Sequence, residues 1–247
     1  MFQMPYQRSV IVACDVRSLL DLQNIVSATS GVQGIGGYKV GMTLVIRFGL
    51  SQVVSVIRSA SAVPLPIIYD HQKGATDIPE LGTEFATAVK ESGADAAILF
   101  PLTGPVVAKR WIRAIQDCKS EGLDVIVGGH MTHEQFIEFD GGYITNMAPF
   151  SIYGIAAEMG VINFVVPGNK PKSVQTYRRH LETIGVDLEK LNLFAPGFII
   201  QGGDISEAGK VAGEQWHAIV GSAIYKKQTR DEMRISALQL VSQITSD

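Results

Sequence analysis

Short apolar segments rich in β-branched residues recur eight times along the chain and alternate with longer segments of helical periodicity. Each apolar segment is too short for a helix, and most lack polar–apolar alternation, which is typical of parallel strands covered on both faces. Residues 79–92, 172–184 and 229–244 carry apolar positions on one helical face. The predicted strands are residues 9–15, 36–41, 66–72, 95–100, 124–129, 162–167, 191–196 and 217–222.

Eight strand-then-helix units within 247 residues predict the α/β class and a single (β/α)8 TIM barrel formed by residues 1–247. An open doubly wound sheet is the main competing fold. The first predicted strand, however, is followed by Arg17, Ser18 and Leu19 rather than by a glycine-rich GxGxxG turn, and no linker or change of composition divides the chain. The barrel is therefore favoured, and its active site is expected where the strands end.

Composition narrows the classes of function. Hydrophobic residues make up 46% of the chain, and 24 acidic residues against 21 basic ones give a net charge of -3, which argues against a nucleic-acid partner. No apolar run has the length of a membrane span, and no signal peptide is visible. Cys14 and Cys118 form neither a disulfide framework nor a CxxC metal motif. We therefore expect a cytoplasmic protein with no membrane or nucleic-acid partner.

Charged residues at the ends of the first three predicted strands carry the candidate chemistry. Asp15 and Lys39 end the first two strands, and Asp70, Lys73 and Asp77 follow the body of the third. Alternating charges hold one another ionised without a metal, and negative charge beside a proton donor suits a reaction that expels a carboxylate and protonates the resulting carbanion. Each residue also has an ordinary explanation as a surface ion pair, a helix cap or a lysine at the barrel rim.

The last two strand ends have the features of a phosphate site. Barrels often bind phosphate at the loops after strands seven and eight, where glycines let backbone N–H groups approach an anion closely. A pair of ordinary glycine-containing turns is the alternative. The residues concerned are Pro196, Gly197, Gln201, Gly202 and Gly203 after the seventh strand, and Gly221 and Ser222 after the eighth.

Taken together, these segments resemble the orotidine 5'-phosphate decarboxylase family over nearly the whole chain. The resemblance implies a cofactor-free carboxy-lyase that converts orotidine 5'-monophosphate to UMP, the last step of de novo UMP biosynthesis. The matching segments are Ala13-Cys14-Asp15, Tyr38-Lys39-Val40-Gly41, the Asp/Lys/Asp-Ile-Pro stretch ending at Pro79, His130-Met131-Thr132-His133, Pro196-Gly197 with Gln201-Gly202-Gly203-Asp204, and Val220-Gly221-Ser222-Ala223-Ile224-Tyr225.

The resemblance also implies a role for each matching residue. Lys39, Asp70, Lys73 and Asp77 would form an alternating charge network, in which Lys73 protonates C6 of the pyrimidine and Asp70 lies near the leaving carboxylate. Asp77 and Ile78 would enter the neighbouring subunit's site, which implies a homodimer. The other contacts would be made to the ribose by Asp15 and Lys39, to the pyrimidine by Thr132, and at the phosphate end by Pro196, Gln201, Gly202, Gly203, Gly221 and Ser222.

The chain departs from the family pattern in three places. The family spacing Asp-x-Lys-x-x-Asp is one residue longer on each side here, so either Asp70 or His71 takes the first acidic position. Ser222 stands where the family has an arginine, and Lys170 or backbone amides alone would have to compensate at the phosphate. Thr132 replaces a serine and keeps the hydroxyl.

Two other functions are weighed against the decarboxylase. A sugar-phosphate decarboxylase or aldolase of the same barrel group would use a metal with acidic ligands near strands two and three, where Lys39 and Lys73 place positive charge instead. A non-catalytic barrel would bind a phosphate ligand without turnover. We expect no metal site, since the histidines lack a ligand spacing such as HExxH, and the resemblance implies that no cofactor is needed.

Overall fold

The eight strands form a closed barrel in sequence order in the computed structural model, which describes residues 2–71, 74–198 and 204–245. Neighbouring strands are parallel throughout, including the pair of first and last strands that closes the barrel. The predicted α/β class and TIM barrel are therefore confirmed. The strands are β1 Arg8–Ala13, β2 Ile35–Gly41, β3 Ile67–Asp70, β4 Ala96–Leu99, β5 Asp124–Gly128, β6 Asn163–Val165, β7 Asn192–Ala195 and β8 Trp216–Val220.

Helices follow the strands on the outside of the barrel. No single helix in the described ranges is long and apolar enough to span a membrane, and α2 and α3 reach that length and composition only as a pair bent by 107°. The helices are α1 Leu19–Thr29, α2 Met42–Phe48, α3 Leu50–Ala60, α4 Leu81–Glu91, α5 Pro105–Asp117, α6 Ala148–Glu158, α7 Pro171–Thr183, α8 Ile205–Ala212, α9 Ser222–Tyr225 and α10 Arg230–Thr245.

The alternation of side chains along each strand divides the core into two parts. Outward residues such as Tyr38 and Trp216 pack with the helices in a large apolar cluster. Inward residues fill the barrel itself, and Phe100 reaches so far across it that a side-chain carbon at Gly128 would lie 2.2 Å from its ring. The apolar middle of the barrel consists of Ile11, Ile68, Ile98, Ile126, Phe194 and Ile219, with smaller neighbours.

A chain of hydrogen bonds lies at the amino-terminal end of the barrel interior, one inward position below the apolar middle. Nδ1 of the fully buried His217 is 2.9 Å from the Ser9 hydroxyl, and Nε2 is 3.4 Å from Oδ1 of Asn192. The amide of Asn192 donates in turn to Asn163 at 3.0 Å. Because the Asn192 oxygen can only accept, Nε2 carries the proton and Nδ1 accepts from Ser9. The histidine is thus held neutral among four strands.

This buried histidine predicts a loss of stability in acid. Burial lowers the pKa of His217 to about 3, from 6.5 in an exposed histidine. Below pH 6.5 the unfolded chain binds a proton that the folded chain refuses, so the free energy of unfolding falls by up to about 1.4 kcal/mol per pH unit from this residue alone. We expect His217→Gln to remove that part of the slope, as measured by urea unfolding at pH 7, 5.5 and 4. If the free energy of unfolding fell equally with pH in both proteins, the lowered pKa of His217 would be contradicted.

Candidate active site

A cavity of about 270 Å³ opens at the carboxyl ends of the strands, and every strand or the loop after it contributes to its wall. The floor is the apolar middle of the barrel, reached at Ile98, Val165 and Ile219. The rim is polar and comes from the carboxyl ends of the strands and the residues just beyond them. A ligand in this cavity therefore rests on an apolar surface and meets charge and hydrogen-bonding groups around its edge.

The structure brings seven of the residues predicted from the sequence to the cavity wall. These are Asp15, Lys39, Asp70, Thr132, Pro196, Gly221 and Ser222. Asp77 and Ile78 do not line it and are exposed at the surface. Lys73, Gln201, Gly202 and Gly203 lie outside the described residues.

Lys39 is the centre of the charged part of the site. Its Nζ donates to Oδ2 of Asp70 at 2.8 Å and lies 3.6 Å from Oδ1 of Asp15. Burial by itself would lower the pKa of Lys39, but attraction to Asp70 and then to Asp15 outweighs it and holds the pKa above its usual range. The lysine therefore stays charged, although it is only 8% exposed.

Strand alternation places Asp70, and not His71, beside Lys39. Asp70 points inward at the end of β3, with Oδ1 buried and without a hydrogen-bond partner among the residues that the structure describes. The neighbouring positions point outward, where the Tyr69 hydroxyl lies 2.7 Å from Nδ1 of His71 and both rings contact Phe85 of α4. The carboxylate is thus turned into the cavity and the imidazole into the helical layer.

Asp15 does not serve as a helix cap. The N-cap of α1 is Ser18, whose hydroxyl oxygen accepts from the Asp21 backbone N–H at 3.1 Å. The Asp15 carboxylate is instead directed to Lys39, with 45% of its side chain exposed. The Asp15 carboxylate therefore pairs with the buried Lys39 and is still exposed enough to contact a ligand.

The segment after β3 is fixed to the end of the next strand. Ala75 is buried and has φ +63, a left-handed conformation that is costly for a residue with a side chain. Its carbonyl accepts from the Thr103 hydroxyl at 3.0 Å, and the carbonyl of Ile78 accepts from the Trp111 indole at 3.0 Å. These two hydrogen bonds hold the backbone from Gly74 to Ile78 in a defined conformation.

Asp77 is not the cap of the following helix either. Helix α4 begins at Leu81 with Glu80 as its N-cap, and the Asp77 carboxylate accepts from the backbone N–H of Ile78. Ile78 is 55% exposed. Both side chains are therefore available to a neighbouring molecule.

The part of the cavity wall formed by the described residues after β7 and β8 carries no charged side chain. A side-chain carbon at Gly221 would lie 2.9 Å from the Ala13 carbonyl, so only glycine lets the chain pass there. Ser222 and Tyr225 complete the wall, and burial, followed by repulsion from Asp15, raises the pKa of the Tyr225 phenol. Lys39 is the only Lys or Arg among the described residues of the wall. The sequence of residues 199–203, Ile-Ile-Gln-Gly-Gly, adds none.

His130 lines the cavity, although the sequence offered no role for it beyond its place at a strand end. It is 2% exposed. Its Nε2 lies 3.0 Å from Nζ of Lys170, and its Nδ1 lies 2.7 Å from the Tyr177 hydroxyl. Burial, and then the charge of Lys170, lowers the pKa of His130 to about 4. The imidazole is therefore neutral, with Nε2 as the acceptor from Lys170.

A metal would need a different set of side chains. Within the ranges that the structure describes, no group of three or more His, Cys, Asp or Glu residues is placed to hold a metal ion. Lys39 Nζ contacts both carboxylates of the described wall, Asp15 and Asp70. A cation is thus already supplied by the chain at that point.

Comparison with known proteins gives a consistent result. A sequence model described as "Orotidine 5'-phosphate decarboxylase / HUMPS family" matches residues 8–234. The chain is 32% identical to the orotidine 5'-phosphate decarboxylase of Methanosarcina barkeri over 227 residues, 90% of both chains. It is 27% identical to that of Pyrococcus abyssi, over 76% of this chain and 77% of the relative.

Solved structures show the same fold. The orotidine 5'-monophosphate decarboxylase of Methanocaldococcus jannaschii, complexed with the inhibitor BMP, superposes with a TM-score of 0.76 at 22% identity, over 99% of this chain and 100% of that one. The enzyme from Sulfolobus solfataricus gives a TM-score of 0.70 at 20% identity, over 97% and 100%. At these identities the structures support the barrel alone. The match of the family model and the identity to the M. barkeri enzyme go further, and they show that this chain belongs to the orotidine 5'-phosphate decarboxylase / HUMPS family.

Proposed function

We propose that the chain catalyses the decarboxylation of orotidine 5'-monophosphate to UMP, without a cofactor. The family and the curated relatives, all named orotidine 5'-phosphate decarboxylase, support this activity. The single observation that carries it is the buried pair of Lys39 and Asp70 at the cavity wall. An inward carboxylate held beside a permanently charged lysine is the environment that a substrate losing a carboxylate needs.

In the proposed mechanism, Asp70 faces the carboxylate on C6 of the pyrimidine. Two carboxylates about 4 Å apart repel each other by about 4 kcal/mol at an effective dielectric of 20, and departure of neutral CO2 removes that repulsion. The C6–carboxylate bond breaks, its electron pair stays on C6, and Lys73 donates the proton that completes UMP. Lys39 stays paired with Asp70 throughout, because the charge of Lys39 does not depend on the substrate.

The remaining contacts hold the nucleotide in place. Asp15 and Lys39 bind ribose hydroxyls, and Thr132 meets the edge of the pyrimidine. Pro196, Gln201, Gly202, Gly203, Gly221 and Ser222 surround the phosphate. The charged groups thus come from β1 to β3, and the neutral ones follow β5, β7 and β8.

We also propose a homodimer in which Asp77 and Ile78 reach the neighbouring subunit's site. Both are exposed, and both belong to the segment that Thr103 and Trp111 fix in place. Other large apolar side chains are exposed on the helices that follow β2, β3 and β4, near the end of the barrel where the cavity opens. These are Met42 and Ile46 of α2, Leu81 of α4 and Val106 of α5, with exposed fractions of 65%, 77%, 41% and 65%. Such an apolar surface is suited to burial against a second copy.

An ultraviolet assay of orotidine 5'-monophosphate consumption, with and without EDTA, tests the function. We expect turnover that EDTA leaves unchanged. Turnover lost in EDTA would favour a metal-dependent sugar-phosphate enzyme of the same barrel group, and binding of UMP without any turnover would favour the non-catalytic barrel. Either outcome contradicts the proposal.

The neutral phosphate end predicts a gain from an added cation. Arginine at position 222 can donate two charge-assisted hydrogen bonds to a phosphate, so we expect Ser222→Arg to tighten UMP binding about tenfold. Ser222→Met, of similar length but uncharged, serves as the control, and calorimetry with UMP and uridine measures the effect. An equal gain for uridine, or none for UMP, would place the phosphate elsewhere.

Two expectations from the sequence stay predictions: the cytoplasmic location, and the organisation of residues 1–247 as one domain. The barrel elements between Arg8 and Thr245 are compatible with the second.

A further inference from the structure

The loop between β5 and α6 carries Thr132 and folds back on itself. Phe136 is buried and its ring lies 5.5 Å from that of His130, and a bridge pairs Ile137 with Ile144. Gln135 adopts φ +55, which turns the chain sharply beside this anchor. The loop is thus compact, but Thr132 itself precedes the anchor and needs a separate support.

Asn169 and Lys170, which follow β6, supply that support. The Asn169 side chain donates from Nδ2 to the Thr132 carbonyl at 3.0 Å. The Lys170 ammonium has three acceptors around it, Nε2 of His130 at 3.0 Å, the His133 carbonyl at 3.4 Å and Oδ2 of Asp140 at 3.5 Å. The two neighbouring side chains therefore bind the loop on both sides of Thr132 and beyond it.

The saturation of Lys170 has a direct consequence. An ammonium group has three N–H donors, and all three acceptors lie on the loop between β5 and α6. Lys170 is thus engaged by the loop and does not line the described cavity wall.

Packing from a third strand end closes the arrangement. Gly197, at φ +109 after β7, lies so close that a side-chain carbon there would be 2.9 Å from the Thr132 methyl and 3.0 Å from Oδ1 of Asn169. That Oδ1 is buried and has no hydrogen-bond partner within the described ranges. Thr132 is therefore confined between Asn169 and Gly197. Thr132 and Gly197 line the cavity, whereas Asn169 lies behind them.

We propose that Asn169 and Lys170 are positioning residues that set the Thr132 hydroxyl at the pyrimidine edge, an inference that rests on the proposed nucleotide substrate. They touch no reacting atom and act through the loop. His130 takes part as a neutral acceptor that fixes the ammonium of Lys170. Asn169 and Lys170 therefore affect the affinity for the pyrimidine rather than the rate of the chemical step.

A double-mutant cycle tests this assignment. Lys170→Met and Thr132→Val are each expected to weaken UMP binding about tenfold and to raise KM with little change in kcat. Because both act through one hydroxyl, the double variant is expected to lose about the same tenfold and not a hundredfold. Lys170→Arg keeps the charge and the donors and is expected to bind nearly as the unaltered protein does. Lys172→Met, which removes an exposed lysine two residues further along, in the first turn of α7, is the matched control.

Hydrogen exchange separates this inference from the proposed function. Amides of residues 131–147 are expected to exchange faster in Lys170→Met and at the normal rate in Lys172→Met, whatever the substrate. If Lys170→Met fails to fold, Asn169→Ala replaces it in both measurements. Independent, multiplicative losses in the cycle, or unchanged exchange in the loop, would overturn the positioning role. If the unaltered protein neither binds UMP nor consumes orotidine 5'-monophosphate, the proposed function fails, while the exchange result still decides whether the loop is held.

Discussion

Replacement of Lys73 by alanine is expected to abolish turnover and to leave UMP binding largely intact. The proposed role of Lys73 is to deliver a proton to C6 and to balance the charge that builds there, and both contributions matter in the transition state rather than in the complex with UMP. We expect kcat to fall by at least about a thousandfold and the Kd for UMP to change by less than about tenfold. The ultraviolet assay and calorimetry measure the two quantities.

The control for this result is Lys109→Ala, which removes an exposed lysine from α5, on the outside of the barrel. It is expected to leave both quantities unchanged. Full activity in Lys73→Ala would remove Lys73 from the mechanism and leave Lys39 as the remaining candidate among the lysines of the site. Equal losses of turnover and UMP binding would instead indicate a general structural role.

Mixing two inactive variants is expected to restore activity. In the proposed dimer each site takes Lys73 from one subunit and Asp77 from the other. Lys73→Ala and Asp77→Ala dimers are each defective at both sites. In a mixed dimer one site carries both substitutions and the other carries neither. Random exchange of equal amounts makes half of the dimers mixed, so about a quarter of all sites are intact.

The measurement needs proof that subunits have exchanged. Different affinity tags on the two variants allow the mixed dimer to be isolated, and its activity is then expected to approach half that of the unaltered dimer. Two copies of Lys73→Ala with different tags form the control and are expected to stay inactive. A purified mixed dimer without activity would show that Asp77 does not complete the partner's site.

The barrel could be predicted from the chain because its physical basis is repeated eight times. Each strand is a short apolar run, and an error of one or two residues in a boundary leaves the count and the order unchanged. The charged part of the site was predictable for a similar reason, since a charged residue near the carboxyl end of an apolar barrel strand, such as Lys39 in β2, lies where the active site of a barrel is expected. The alternation of inward and outward positions then decides between Asp70 and His71 once the strand is known to end at Asp70.

The rest of the site depends on contacts between residues distant in sequence. Lys170 reads as a free cation beside a strand end, and only the approach of His130 and of the loop beyond it shows that its donors are used. Tyr225 sits in a four-residue helix, and its place in the wall follows from how the barrel closes between β8 and β1. No pattern local to either residue contains that information.

The charged groups lie at the carboxyl ends of the first three strands and the neutral contacts at those of later strands. This separation bears on how such a protein can change. In the proposed mechanism, substitutions around Thr132, Gly221 or Ser222 can alter which base or which anionic tail is held, while the contact between Lys39 and Asp70 stays in place. Selectivity and reactivity can therefore diverge independently. A protein with this layout can therefore change its ligand by substitutions among the neutral contacts alone, while the charged groups stay the same.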